Sequence, residues 1–86
     1  MVEDLENEIV DAETGVSLFR LGLARKENKH GKLIIYYRPP SPFTPVILVI
    51  KMGLDIKFKY PEAIVILEDY YISNEINEIL NGIKIE

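Results

Sequence analysis

The chain has 86 residues, of which 48% are hydrophobic and 28% are charged, and its formal net charge is −4. A chain of this length can form one globular domain, 1–86, but not two separate cores. It contains no cysteine, which excludes disulfides, thiolate metal sites and a cysteine nucleophile. The acidic balance argues against general nucleic-acid binding, because that binding requires lysine and arginine to neutralise phosphates.

The sequence indicates neither a membrane span nor a secretory signal. The apolar run at 46–50 is interrupted by Lys51, far short of the roughly 20 apolar residues that a membrane helix needs. The first residues include Glu3, Asp4 and Glu6, whereas a secretory signal begins with positive charge. We therefore expect a cytoplasmic protein without membrane contact. Abundant isoleucine, lysine and glutamate fit a heat-adapted source, although genomic base composition can produce the same bias.

The N-terminal pattern predicts a helix over residues 2–11. Apolar residues recur at helical spacing from Val2 to Ile9, and acidic residues in the first turn suit the positive end of the helix dipole. The helix is expected to end near Thr14 and Gly15, because glycine readily takes the left-handed conformation that closes a helix.

Extended chain and a turn are predicted next. Residues 16–25 favour extended chain, in which Gly22 suggests a bulge or a close approach of the backbone. The segment ENKHGK at 27–32 is expected to turn the chain, with Gly31 at positive φ. KLIIYYR at 32–38 is the clearest strand, since it is β-branched and aromatic. Both of its faces are apolar, so one should meet the core and the other a partial cover or a partner.

The proline-rich stretch RPPSPFTPVILVIK at 38–51 permits two interpretations. By propensity VILVI is a strand. Thr44, however, can cap a helix, and Pro45 fits the first helical position, where its missing N–H is not needed. The apolar residues that follow recur at helical spacing, so we favour a helix.

The C-terminal third predicts one more strand and one more helix. AIVILEDYY at 63–71 has strand character, and Ser73 can cap the helix that follows. The apolar face of that helix comprises Ile76, Ile79, Leu80 and Ile83, with Gly82 at its end. The predicted order is α-β-β-α-β-α. It corresponds to an α+β fold, a two-layer α/β sandwich in which helices cover one side of a small three-stranded sheet.

Several fragments, in their order along the chain, resemble one known family. They are DAETG at 11–15, LGL at 21–23, a following strand and SPFTP at 41–45. Their order and spacing are similar to the metal–sulfur cluster biosynthesis domain, the PaaD-like family associated with iron–sulfur cluster assembly. That family carries Asp-Pro-Glu, Asp-Leu-Gly-Leu and Ser-Pro-x-Cys-Pro. The resemblance extends over roughly residues 4–83 and implies an αββαβ core that helps to load or transfer clusters together with other assembly factors.

The chain departs from the family at the reactive positions. Asp11, Glu13 and Gly22 match the family fragments, but Thr44 stands where the family has its cysteine and Arg20 where it has an aspartate. The family cysteine lies at a helix N-terminus, where backbone N–H groups favour a thiolate. A threonine hydroxyl is far less acidic. The resemblance therefore implies a divergent member that keeps the fold without the reactive pair.

The candidate site is the loop before the central helix, formed by Arg38, Ser41, Pro42, Thr44 and Pro45. We predict a non-enzymatic interaction module related to iron–sulfur cluster assembly that acts through protein contacts. The expected partners are iron–sulfur assembly factors, a cysteine-bearing relative or a second copy of the chain. No cofactor or metal is expected, since metal sites usually combine several ligands and the chain has a single histidine in a turn.

Other functions remain open. A small anion or ligand could bind the Ser41–Pro45 loop at the helix N-terminus, with Arg38 beside it. An enzyme would have to use hydroxyls and carboxylates, but the sequence shows no nucleophile with an adjacent base. The prolines could serve as a polyproline ligand, although the run is short and leads into a core element. Tyr70 and Tyr71 could face a partner, although tyrosines at a strand end are more often half-buried.

Overall fold

The computed structural model describes residues 9–11 and 14–82. This part contains a three-stranded sheet and two helices, in the order β-β-α-β-α. The elements are β1 (Ala24–Lys29), β2 (Lys32–Tyr37), α1 (Val46–Lys59), β3 (Ile64–Leu67) and α2 (Ser73–Gly82). The predicted α+β fold is confirmed.

The segment around Asp11 and Val16 turns back on itself, where the end of a helix was predicted. Val10 forms a β-bridge with Ser17, and the N–H of Leu18 donates to the C=O of Ile9 at 2.9 Å. The Asp11 carboxylate accepts a hydrogen bond from a backbone N–H three residues later, at 3.1 Å, which competes with helical pairing. The predicted helix is therefore wrong over 9–11, and its residues 2–8 lie outside the described part.

β1 and β2 form an antiparallel hairpin joined by two residues. His30 and Gly31 have φ values of 53° and 79°, as a type I′ turn requires, because that turn matches the twist of the two strands. The pairs run from Lys29↔Lys32 to Ala24↔Tyr37. The turn is thus shorter than the predicted one.

The predicted extended chain over 16–25 is wrong for most of its length. Residues 18–22 form turns, and β1 starts only after them. Gly22 has a φ of 75°, and no atom of the described residues lies within 4 Å of a Cβ built there. Among the described residues, Gly22 therefore supplies a left-handed turn conformation rather than a bulge or a close approach.

β2 and β3 are parallel, and α1 provides the crossover that parallel strands require. The sheet order is β1-β2-β3. Alternate residues of β2 and β3 face the helices and are buried, namely Ile35, Tyr37, Val65 and Leu67. The buried positions of α1 include Val49, Met52 and Ile56. The helical interpretation of 46–50 is confirmed, because this spacing places one apolar stripe on the sheet despite the strand propensity of the individual residues.

The second face of β2 is partly covered by a side chain from the neighbouring strand. The guanidinium of Arg25 lies 4.1 Å from the centre of the Tyr36 ring. It also donates to Glu68 Oε1 at 2.9 Å. Tyr36 and its neighbour Ile34 are half-buried, so a stacked, paired arginine covers part of this apolar face.

α2 is confirmed, but its buried face differs from the predicted one. Ile76 and Leu80 are buried, whereas Ile79 is 52% exposed. Ser73 is the first helical residue rather than the residue that caps it. Ile83, predicted on the same face, lies outside the described residues.

Two asparagines of α2 explain why its buried face differs from the predicted one, because their side chains bond to the outer edge of β3. The N–H of Val65 donates to Asn81 Oδ1 at 3.0 Å, and Asn81 Nδ2 donates to the Val65 C=O at 2.9 Å. Asn77 makes the same pair of bonds with Leu67, at 2.6 and 3.3 Å. We call this arrangement the asparagine clamp. It satisfies backbone groups that an edge strand would otherwise leave open.

Tyr37 is expected to make stability depend on pH in alkali. Its hydroxyl donates to the Val49 C=O at 2.8 Å, and burial raises the pKa of Tyr37 above its ordinary value. A raised folded-state pKa gives a contribution that is complete below about pH 10, the unfolded value, and declines as pH rises above it. We expect Tyr37→Phe to lower the free energy of unfolding by about 1 kcal/mol at neutral pH and to reduce the alkaline decline.

Urea unfolding near neutral pH and at about pH 11 measures both effects, with the exposed Tyr71→Phe as control. An alkaline decline of the same size in Tyr37→Phe and in the wild type would contradict the assignment.

Candidate functional site

Both helices begin at the same edge of the sheet. The parallel strands β2 and β3 end there, and each runs through a short segment into the next helix, 38–45 into α1 and 68–72 into α2. Ligands of open sheets commonly bind outside the carboxyl ends of parallel strands, where connecting loops meet helix N-termini. The candidate loop predicted from the sequence lies at this edge.

The Ser41–Pro45 loop is a compact turn held from two sides. The N–H of Phe43 donates to Ser41 Oγ at 3.1 Å, and the N–H of Thr44 donates to the Ser41 C=O at 3.1 Å. From the opposite segment, the Tyr70 hydroxyl donates to the Thr44 C=O at 2.6 Å. These bonds, together with the fixed φ of the prolines, hold the Phe43 side chain outward, where it is 90% exposed.

A pocket of about 540 Å³ lies between this loop and the segment that follows β3. Its lining residues are Pro42, Phe43, Thr44, Pro45, Val46, Tyr70 and Tyr71, none of them charged. The Tyr70 and Tyr71 rings lie 5.1 Å apart between centres, tilted by 55°. We call this set of seven residues the aromatic pocket. Its volume falls within the range of small-molecule sites, and its walls suit an apolar group.

Thr44 does not cap α1, contrary to the prediction. Pro45 is the N-cap, with a ψ of 142°, and no side chain bonds to the start of the helix. Pro45 therefore precedes the helix rather than occupying its first position. Thr44 is only 4% exposed, and its Oγ1 has no hydrogen-bond partner among the described residues. A buried hydroxyl without a partner is unfavourable, so Thr44 costs the fold some stability at this position.

The start of α1 leaves further donors unused. The N–H groups of Leu48 and Val49 both donate to the Pro45 C=O, at 3.0 and 3.2 Å. Within the described part, the N–H groups of Val46 and Ile47 have no partner, and the first turn carries no acidic residue. The partial positive charge of this helix end is therefore not neutralised by a nearby carboxylate of the helix.

Arg38 lies outside the aromatic pocket. Its guanidinium is 3.8 Å from Asp69 Oδ2, and both side chains are exposed. Such an exposed pair contributes little to stability. Of the five residues of the predicted loop site, the structure brings Pro42, Thr44 and Pro45 together in the pocket lining, with Ser41 supporting the loop from behind.

Asp11 and Gly22, which match two of the family fragments, do not line the pocket. Asp11 is buried, and its Oδ1 has no partner among the described residues. Gly22 lies in the turn before β1, and Glu13 falls outside the described residues. Lys57, a buried cation that the sequence reading missed, donates to the Ala63 C=O at 2.6 Å and fixes the connection between α1 and β3.

Tyr70 and Tyr71 differ sharply in exposure. Tyr70 is buried, whereas Tyr71 is 77% exposed. Burial raises the pKa of Tyr70, and the adjacent Tyr71 raises it further. The sequence reading missed Phe43. The available signal was a large aromatic residue in a proline-rich loop that belongs to no predicted strand or helix.

The described residues contain no group of three or more His, Asp or Glu side chains placed to hold a metal ion. None of the helices in the described ranges is long and apolar enough to cross a bilayer. No known protein family, no curated protein and no solved structure matches this chain.

Proposed function

We propose that the protein is a non-enzymatic interaction module that binds a protein partner through the aromatic pocket and its rim. The observation that carries this proposal is the exposure of Phe43 and Tyr71, at 90% and 77%, on the two sides of one pocket. Removing such surface from water is the main driving force of association. Aromatic anchors at the centre of an interface commonly dominate its binding energy.

The rigidity of the loop favours this use of Phe43. The bonds from Ser41 and Tyr70 hold the turn before any partner arrives. A side chain presented by a preorganised loop loses less conformational freedom on binding than one on a mobile loop. The neighbouring Ile47, 75% exposed on the first turn of α1, extends the apolar surface.

We further propose that the partners belong to iron–sulfur cluster assembly in the cytoplasm. This part rests on the ordered fragments at 11–15, 21–23 and 41–45. The β-β-α-β-α order is compatible with the core that these fragments imply. A chain without cysteine cannot offer a thiolate, so its role would be contact with assembly factors, with a cysteine-bearing relative or with a second copy of itself.

Phe43→Ser is expected to reduce partner capture at least tenfold, because it removes a central apolar anchor. The measurement is an anaerobic pull-down of the tagged full chain from a lysate of the source organism, quantified by mass spectrometry. Phe58→Ser is the matched control, since Phe58 is 61% exposed on α1 but does not line the pocket.

The outcomes separate the two parts of the proposal. Recovery of cluster-assembly factors or iron–sulfur proteins by the wild type and Phe58→Ser, but not by Phe43→Ser, supports both parts. Phe43-dependent recovery of unrelated proteins keeps the interaction module and removes the link to cluster assembly. Equal recovery by all three chains rejects the aromatic pocket as the binding surface.

A further inference from the structure

Asn81 belongs to the asparagine clamp and also precedes a glycine. It is the one asparagine in the sequence that glycine follows. We propose that Asn81 is a site of spontaneous deamidation, and that its conversion to aspartate or isoaspartate opens the outer edge of β3. The site lies outside the aromatic pocket, so it does not depend on the proposed interaction role.

The reaction requires only the two residues and water. The backbone nitrogen of Gly82 gives up its proton and forms a bond to the side-chain Cγ of Asn81. The Cγ–Nδ2 bond breaks, and the Nδ2 group takes up a proton and leaves as ammonia. Water then opens the cyclic imide at either carbonyl, which gives aspartate or isoaspartate. Glycine favours the attack, because it has no side chain to hinder the nitrogen and has the widest backbone freedom.

Both reacting groups are accessible at the end of α2. Asn81 and Gly82 are exposed, and no described atom lies within 4 Å of a Cβ built on Gly82. Gly82 is the last residue of α2, and the ends of helices fray more readily than their centres. Opening of this last turn frees the Gly82 nitrogen from the helical conformation, so the rate of deamidation follows the frequency of that opening.

The hydrogen bonds of the clamp restrain the Asn81 amide while the helix end is closed. Its Oδ1 accepts from the N–H of Val65 at 3.0 Å. Its Nδ2 donates to the C=O groups of Val65 and Asn77, at 2.9 and 3.0 Å. The reaction is therefore expected to be slower in the folded chain than in the unfolded chain.

Deamidation removes a donor that the edge of β3 uses. Aspartate has no side-chain N–H, so the bonds from Nδ2 to the C=O groups of Val65 and Asn77 are lost. A carboxylate oxygen in the place of Nδ2 faces the Val65 C=O, and two acceptors at that distance repel each other. The new negative charge also lies at the C-terminal end of α2, where the helix dipole is negative. The edge that is left open can pair with another strand.

Asn77 provides a comparison within the same molecule. It makes the equivalent pair of bonds with Leu67, but Glu78 follows it, and it lies inside α2 rather than at its end. If the clamp geometry alone decided the reaction, both asparagines would react. The glycine and the helix end instead select Asn81.

Incubation of the full chain at mildly alkaline pH, followed by peptide mapping with mass spectrometry, measures the conversion at each asparagine. Asn81 is expected to convert about tenfold faster than Asn77, and Gly82→Ala to slow the conversion of Asn81 about tenfold. Gly82→Ala retains both asparagines of the clamp and meets no described atom. It is therefore expected to remain folded, which unfolding in urea checks.

The effect on the edge is measured on the converted protein, purified by its added charge, and on Asn81→Asp. Both are expected to shift the unfolding equilibrium about tenfold toward the unfolded state. Both are also expected to self-associate with rising concentration in sedimentation. Asn74→Asp is the control, because it adds the same charge at an exposed position of α2 outside the clamp.

Three results would overturn the deamidation site: no conversion at Asn81, equal rates at Asn77 and Asn81, or an unchanged rate in Gly82→Ala. Converted protein with the stability and the association state of the untreated chain would overturn the effect on the edge of β3.

Discussion

Gly53→Ala is expected to lower the free energy of unfolding by about 2–3 kcal/mol, the range of strong overpacking. On an isolated helix the same change would be stabilising by about 1 kcal/mol. Gly53 lies where α1 meets α2 and β2. A Cβ built there would lie 2.5 Å from Leu80 Cδ1 and 2.6 Å from Tyr37 Oη. The methyl group therefore displaces the buried Leu80 side chain and the Tyr37 hydroxyl that bonds to Val49.

Urea unfolding measures the change, with Gly82→Ala as the matched control. Gly82 ends α2, and no described atom lies within 4 Å of a Cβ built there, so this variant should be neutral or slightly more stable. If Gly53→Ala were as stable as the wild type, the close approach of the two helices at this point would be wrong.

Replacing both Asn77 and Asn81 by leucine is expected to destabilise the protein by about 2–4 kcal/mol and to promote self-association. Each asparagine satisfies one N–H and one C=O of β3, and each backbone group left without a partner costs about 1 kcal/mol or more. The opened edge of β3 also becomes a template for another strand. Each single variant should show about half of the loss in stability.

Urea unfolding and sedimentation over a range of protein concentrations measure these two effects. Asn74→Leu is the control, because Asn74 lies on the exposed side of the same helix. A double variant with unchanged stability and with the association state of the wild type would show that the asparagine clamp does not protect the edge.

The helices and strands could be predicted wherever the residue types or the spacing of the apolar residues clearly favour one structure. β2 is rich in β-branched and aromatic residues, and α1 has an apolar stripe at helical spacing that outweighs its strand propensity. Two predictions that failed, the helix at 9–11 and the buried face of α2, each have a physical cause. Asp11 bonds to the backbone of its own turn and so replaces helical pairing. The face of α2 is set by asparagine bonds to β3, which an apolar pattern cannot reveal.

The candidate site could be predicted in part. The loop was located from its prolines, but the aromatic pocket also needs Tyr70 and Tyr71, which are about 26 residues further along the chain. They meet the loop only because the α1 crossover makes β2 and β3 parallel. Whether Thr44 caps α1 depends on the residue at which the helix begins, and that residue differs by one from the predicted start. Pro45 adopts extended ψ, so the helix starts later than a Thr-Pro cap would place it.

The asparagine clamp has a consequence for synthesis of the protein. β3 is made before α2, and its protecting amides belong to the later element. A chain that lacks α2 leaves the outer edge of β3 unprotected, and that edge can pair with a neighbouring chain. A product interrupted before Asn77 keeps that edge permanently. Premature termination therefore yields a fragment that associates through the edge of β3, rather than a slightly shorter domain. The exposed strand is also a feature by which proteases and chaperones can distinguish the fragment from the finished protein.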